Sequence, residues 1–170
     1  MGQYYKPVLL EDDGLTPQNY LLAHDYDNGL KLMEHSYLKN NFVNAVETLL
    51  INKATKLVWA GDYAEEVIPQ TRNTYELAGS SPRLTPEEPT YIMPIEYPYL
   101  INETKKQYVD KLVCPNNIHP LPLLTSEGNG QGGGDFRGVN TNVGTWARNY
   151  IRVSKEVPEG YTEIRPDFEE

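Results

Sequence analysis

Seven of the 13 glycines stand between Gly128 and Gly144, and nine of the 13 prolines stand between Pro69 and Pro122. Proline removes an N–H donor and fixes one backbone angle, while glycine loses more freedom than any other residue on ordering. Together they deny long helices and long strands to most of the chain after residue 68. Regular helix is therefore expected early, and short strands joined by turns are expected late.

The first part, up to about Glu66, follows that rule. Tyr4 to Leu10 reads as a strand that Pro7 confines to a sheet edge or a strand start. Glu11-Asp12-Asp13-Gly14 reads as a turn. From Gly29 the apolar spacing becomes helical, with Leu30, Met33 and Tyr37 on one face and Phe42, Val46, Leu49 and Leu50 repeating it. Lys39-Asn40-Asn41 interrupts the pattern and predicts two helical pieces, the second capped by Asn40 or Asn41. Leu57 to Ala60 predicts a short buried strand ending at Gly61-Asp62-Tyr63.

In the proline-rich part, about 69–122, Ser80 to Pro89 is expected to hold no regular element. Tyr97 to Asn102 and Lys106 to Asp110 predict a hairpin. His119-Pro120-Leu121-Pro122 is expected to be extended, because each proline biases its predecessor away from helix. After the glycine-rich loop, 128–138, the alternation of Trp146, Arg148, Tyr150 and Arg152 with Ala147, Asn149, Ile151 and Val153 has a strand period. Val157-Pro158-Glu159-Gly160 predicts a turn. The fold class is α+β: a short-stranded, mostly antiparallel sheet with one broken helix or helical hairpin packed on it, in a single domain spanning 1–170.

The net charge of −9 leaves little cation excess for a phosphate backbone, so nucleic acid is not an expected partner. No stretch approaches the roughly 20 apolar residues of a membrane span. The opening residues lack a signal-peptide pattern, and Lys6 stands where a myristoylation motif needs Ser or Thr. Cys114 is the one cysteine, which suits a reducing compartment. The expectation is a cytoplasmic chain, with no membrane association and no prediction of oligomeric state.

Five blocks carry a resemblance: Met1-Gly2-Gln3-Tyr4-Tyr5, His24 to Glu34, Trp59-Ala60-Gly61-Asp62-Tyr63, Gly128 to Asp135, and Val143-Gly144-Thr145-Trp146-Ala147. Together they resemble a family of small gut-bacterial and phage proteins without an assigned activity. In that family the last two blocks precede a segment like Trp59 to Tyr63, whereas here they follow it. The resemblance implies a phage or mobile-element setting and supplies no site residues.

The glycine run is the first candidate for chemistry. Successive N–H groups without side chains can form a concave nest for an anion, and arginine adds bidentate contacts. Gly132, Gly133, Gly134 and Asp135, with Arg137 and Arg148, form the candidate ligand site, and Trp146 supplies a face for a planar group. A flexible hairpin tip with Asn129 and Asp135 as turn residues is the plainer reading. The run lacks the Lys and Ser or Thr of a phosphate-binding P-loop.

His24 and Asp27, if they face His35 across the helix start, could form a metal site or an acid–base pair. No metal-ligand spacing supports the first, so no metal and no cofactor is expected, and helix capping by Asp25, Asp27 and Asn28 is the stronger reading. Asp62 and Asp135 each follow glycine, where turn carboxylates outnumber catalytic ones. Ser36, Ser80, Ser81 and Ser126 lack a nucleophile elbow, Cys114 lacks a reactive context, and Trp59 suits core packing.

Three functions follow. The first is a binding protein for a small anionic, nucleotide-like ligand, which in a phage setting could sequester a host defence signal. The second is an acidic inhibitor or structural protein facing a basic host protein. The third is a hydrolase using Asp62, Asp135 or His24. The residues lean away from an enzyme.

Overall fold

The computed structural model describes residues 2–51, 53–66, 72–87, 93–129 and 142–166. Among them are eight strands and five α-helices. The strands are β1 (Tyr5–Leu10), β2 (Pro17–Tyr20), β3 (Thr55–Gly61), β4 (Tyr99–Asn102), β5 (Gln107–Asp110), β6 (Ser126–Glu127), β7 (Asn149–Ser154) and β8 (Thr162–Glu163). The helices are α1 (Leu32–His35), α2 (Asn41–Thr48), α3 (Thr74–Ala78), α4 (Met93–Glu96) and α5 (Pro120–Thr125). The chain is α+β, with one mostly antiparallel sheet in the order β2-β1-β3-β7-β4-β5-β8. β6 joins β3 in parallel beside this path, and β8 joins β5 in parallel. No helix among the described residues is long and apolar enough to cross a membrane.

Alternation along β1 and β3 gives the sheet two buried faces. On one, Tyr5, Leu9, Leu57 and Trp59 pack with Phe42, Val43 and Val46 of α2 and Leu121 and Leu124 of α5. On the other, Val8, Leu10, Val58 and Ala60 pack with Ala78 of α3. Lys6 also lies on this second face, with its ammonium 4.5 Å from the Tyr20 ring centre and 4.2 Å from that of Tyr75. Burial lowers the Lys6 pKa from its ordinary value.

Local chemistry explains most elements. Asp13 Oδ1 accepts from Leu15 N and Thr16 N, and Gly14 takes φ +72°, so the 11–14 turn closes as its residue types predict. Asn40 caps α2, its side-chain oxygen accepting from Phe42 N at 2.9 Å. The β4–β5 hairpin forms, with Leu100 opposite Val109.

Three expectations need correction. β1 is an interior strand, not an edge, paired with both β2 and β3. Pro7 is tolerated because it sits just past the last β2 pair, Val8 with Tyr20, where only its carbonyl is used, accepting from Leu21 N. His119 to Pro122 is not extended but starts α5, with His119 as the cap whose Nδ1 accepts from Leu121 N at 3.2 Å. Pro120 and Pro122 fall in the first turn, where N–H groups have no partner within the helix to lose. The strand expected from Trp146 begins only at Asn149, because Arg148 adopts φ +68° and Gly144 φ +79°.

Asn44 on α2 is fully buried, and neither its Nδ2 nor its Oδ1 has a partner among the described residues. A buried amide left unpaired carries a desolvation penalty of about 1–3 kcal/mol. Asn44→Ala is therefore expected to leave the urea midpoint unchanged or raised. Phe42→Ala, two residues earlier, is expected to lower stability by about 3–5 kcal/mol.

Candidate functional site

Segments far apart in sequence meet where β1 starts and β3 and β6 end. Tyr4 N donates to Asp62 Oδ1, and Asp62 N donates back to the Tyr4 carbonyl, both at 2.9 Å. Gln3 is fully buried. Its Nε2 donates to Asn129 Oδ1 at 2.9 Å, and its Oε1 accepts from Tyr63 N at 3.2 Å and Asn129 N at 3.4 Å. Asn73 adds two 3.0 Å bonds, to the carbonyls of Asp62 and Ala64. Residues of the opening block, the Trp59–Tyr63 block and the start of the glycine run thus share one hydrogen-bonded knot.

Two glycines permit the close approach. A Cβ on Gly61 would run into the Gln3 amide oxygen, and one on Gly128 would run into the Tyr5 hydroxyl. Gly128 is therefore explained by packing within the described residues. Gly128→Ala is expected to lower stability by about 1–3 kcal/mol through overpacking, read as a drop in melting temperature. An unchanged melting temperature would mean this neck is loose.

The sheet forks here. β3 pairs with β7 over Thr55 to Leu57 and with β6 over Trp59 and Ala60, so its neighbours part between them. Arg148 stands in the fork, its N–H donating to the Leu57 carbonyl at 2.8 Å. Its guanidinium grips Glu127 through Nε (2.9 Å) and Nη2 (2.6 Å), and also bonds Thr74 Oγ1 and the Gly14 carbonyl. That bidentate pair fixes the Glu127 carboxylate at the rim of a recess of about 550 Å³. Ala64, Glu65 and Glu66 form one wall of the recess and Glu127, Gly128 and Asn129 the other. Glu65 and Glu66 are exposed. The described wall is thus negative, and the glycine-rich segment leaves from its edge at Asn129.

No protein-family model, curated protein or solved structure matches the chain.

Of the residues expected to bind a ligand, Gly132, Gly133, Gly134, Asp135 and Arg137 lie outside the described residues. Arg148 lies at the recess but holds Glu127, Thr74 and Gly14. Trp146 is fully buried, with its indole N–H donating to Gln107 Oε1 at 3.0 Å, so it shows no face to solvent. Trp59 is likewise buried, donating to His35 Nδ1 at 3.0 Å.

The histidine pairing does not form. His35 is buried, with Nε2 on the Gly29 carbonyl at 2.7 Å and Nδ1 receiving the Trp59 N–H, so both ring nitrogens are used internally. Burial holds its pKa down at about 4, against a smaller raising effect of the Gly29 carbonyl. His24 is exposed on a 3₁₀ turn, Ala23–Tyr26. Asp27 is the C-cap of that turn with φ 54°, Asp25 pairs with Arg83 at 3.3 Å, and Asn28 Nδ2 donates to the Asn40 cap, while Lys31 is the N-cap of α1, so none of the three caps the start of α1. Among the described residues no cluster of His, Cys, Asp and Glu could hold a metal. Burial, helped by Asp110, pushes the Cys114 thiol up to about 12, which makes it a poor nucleophile.

Sequence reasoning missed a buried ionic cluster. Glu47 of α2, Lys111 of a 3₁₀ turn (Lys111–Val113) and His119 are all fully buried. Lys111 Nζ donates to Glu47 Oε2, and His119 Nε2 donates to Glu47 Oε1 at 2.8 Å. His119 Nδ1 accepts from Leu121 N, so the ring is neutral with its proton on Nε2. Burial pushes the Glu47 carboxyl up, but Lys111 and His119 together overcome it and hold it at about 2. Burial lowers the His119 pKa against the raising effect of Glu47. The signal was present in Glu47 itself, one turn from Val43 and Leu50 on the apolar side of α2. Sealed from solvent, the cluster ties α2 to both ends of the 111–119 segment rather than meeting a substrate.

Proposed function

We propose that this chain is a binding protein, not a catalyst, whose ligand seats in the recess between Ala64–Glu66 and Glu127–Asn129. The observation that carries the reading is the knot of Gln3, Tyr5, Gly61, Asp62 and Asn129, which anchors the start of the glycine-rich segment at the mouth of that recess. The ligand has two ends. Its anionic end meets the amides of Gly132, Gly133 and Gly134 and the Arg137 guanidinium. Its hydrogen-bond donors face Glu65 and Glu66. A nucleotide fits both demands, with phosphates at one end and ribose hydroxyls and base amines at the other. The role is then capture of a signalling nucleotide in a host cytosol, in the phage setting that the resemblance implies.

The test is thermal melting with AMP, ADP, a cyclic dinucleotide and inorganic phosphate. A ligand at a hundredfold excess over its Kd stabilises the native state by about 2.7 kcal/mol. For a chain of this size that is a rise of roughly 5–10 °C. The rise is expected with a nucleotide and is expected to vanish in Gly133→Ala and Arg137→Ala. A rise that survives both replacements, or no rise with any nucleotide, defeats the reading.

A further inference from the structure

A second, independent site lies at the opposite end of β1. A groove of about 510 Å³ runs between the β1–β2 turn and the end of α3. Its floor is apolar, from Leu15, Leu77 and Pro82, and Leu15 is 45 % exposed. Glu11 and Asp13 stand at its rim. Thr16 and Leu15 donate hydrogen bonds that hold the Asp13 carboxyl at about 2, so it is charged at neutral pH. Glu11 forms no ion pair among the described residues, although Lys53 and Lys56 stand on its other side.

The groove also follows a strand edge. At Tyr20 the outer edge of β2 is already taken, since Tyr20 N donates to the Pro82 carbonyl at 3.3 Å and Leu84 N donates to the Tyr20 carbonyl at 2.8 Å. One step back the covering chain has turned away, where Ser80 and Ser81 close the end of α3 with bonds to Leu77 and Ala78. The β1–β2 register jumps from Asn19 opposite Leu9 to Pro17 opposite Leu10, so Gln18 is the bulge residue with no partner on β1. It is exposed and lines the groove. β2 is the end strand of the sheet order, and the outer edge of an end strand is a template for an added strand.

We propose that this groove docks an extended peptide of a partner protein, which pairs with β2 at Gln18, sets an apolar side chain on Leu15, Leu77 and Pro82, and places a lysine or arginine against Glu11 and Asp13. The pairing supplies affinity and the alternate side chains supply specificity. The acidic rim selects a basic occupant, and salt weakens it.

The test is selection of a display library of random heptapeptides on the full chain, with Leu15→Asp as the counter-selection. Leu15 is exposed, so that replacement leaves the core untouched, and unchanged melting checks it. The expected winners carry Lys or Arg beside alternating apolar residues. They bind at least tenfold more weakly to Leu15→Asp and to Glu11→Lys, and they slow hydrogen exchange at Gln18. Winners that are acidic, that bind both variants as well as the parent, or that leave Gln18 exchange unchanged overturn the proposal, as does the absence of any enrichment over Leu15→Asp. Full binding by Gly133→Ala keeps this result separate from the nucleotide reading.

Discussion

Replacing Glu47 with glutamine is expected to lower stability by about 3–5 kcal/mol, the usual effect of removing one partner of a buried ion pair. The amide keeps an acceptor for His119 Nε2 but leaves the Lys111 ammonium in the core without a counter-charge. The loss shrinks when the charge is removed from both sides. Glu47→Leu combined with Lys111→Met is expected to recover most of the loss, because the desolvation of two charges disappears along with their attraction. Urea unfolding of Glu47→Leu, of Lys111→Met and of the double variant gives the coupling directly. A loss below about 1 kcal/mol for Glu47→Gln would mean that water reaches the cluster.

Acid is expected to weaken the fold in two stages. In the unfolded chain His35 takes up a proton near its ordinary value of 6.5, while burial delays this to about 4 in the folded chain. Between those values the unfolded state binds more protons, so stability falls as pH falls. The full effect is about 3 kcal/mol, present above pH 6.5 and gone at pH 4. His119, also lowered by burial, acts in the same direction. Glu47 follows, since its contribution is present above its ordinary value of 4.5 and is lost as pH falls through about 2. Urea midpoints between pH 7.5 and 4 are expected to decline, and His35→Gln is expected to flatten that decline while lowering stability at neutral pH. A midpoint constant from pH 7 to pH 4 would contradict a neutral, buried His35.

Elements set by short-range chemistry were legible in the sequence. The Asp13 turn, the Asn40 cap and the β4–β5 hairpin each depend on side chains within a few residues, so residue type and spacing predict them. Prolines misled where their effect depends on context. Pro7 predicts a sheet edge or a strand start, yet it is the third residue of an interior strand and its missing N–H falls past the end of β2, while Pro120 and Pro122 serve the first turn of α5. Long-range contacts left little local trace. The two-residue parallel pairing of β6 with β3 joins Trp59 to Ser126, and no local pattern specifies a partner so distant. Glu47 meets Lys111 and His119 from 64 and 72 residues away, so only its place on an apolar helix face could have flagged it.

The candidate site divides in the same way. Glycine content drew attention to 128–138, and the start of that segment does sit in a built knot. Residue type alone makes Arg148 a bidentate anion clamp and Trp146 a stacking face, whereas the fold binds one to Glu127 and buries the other. The charge of the described wall, from Glu65, Glu66 and Glu127, depends on strands meeting and could not be read from any one segment.

Native mass spectrometry of the purified full chain, with and without added nucleotide, tests the binding claim most directly. A one-to-one complex whose added mass is that of a single nucleotide is expected in the parent and is expected to be missing in Gly133→Ala. Bare chain alone at every nucleotide concentration, or equal loading of the parent and Gly133→Ala, would contradict it.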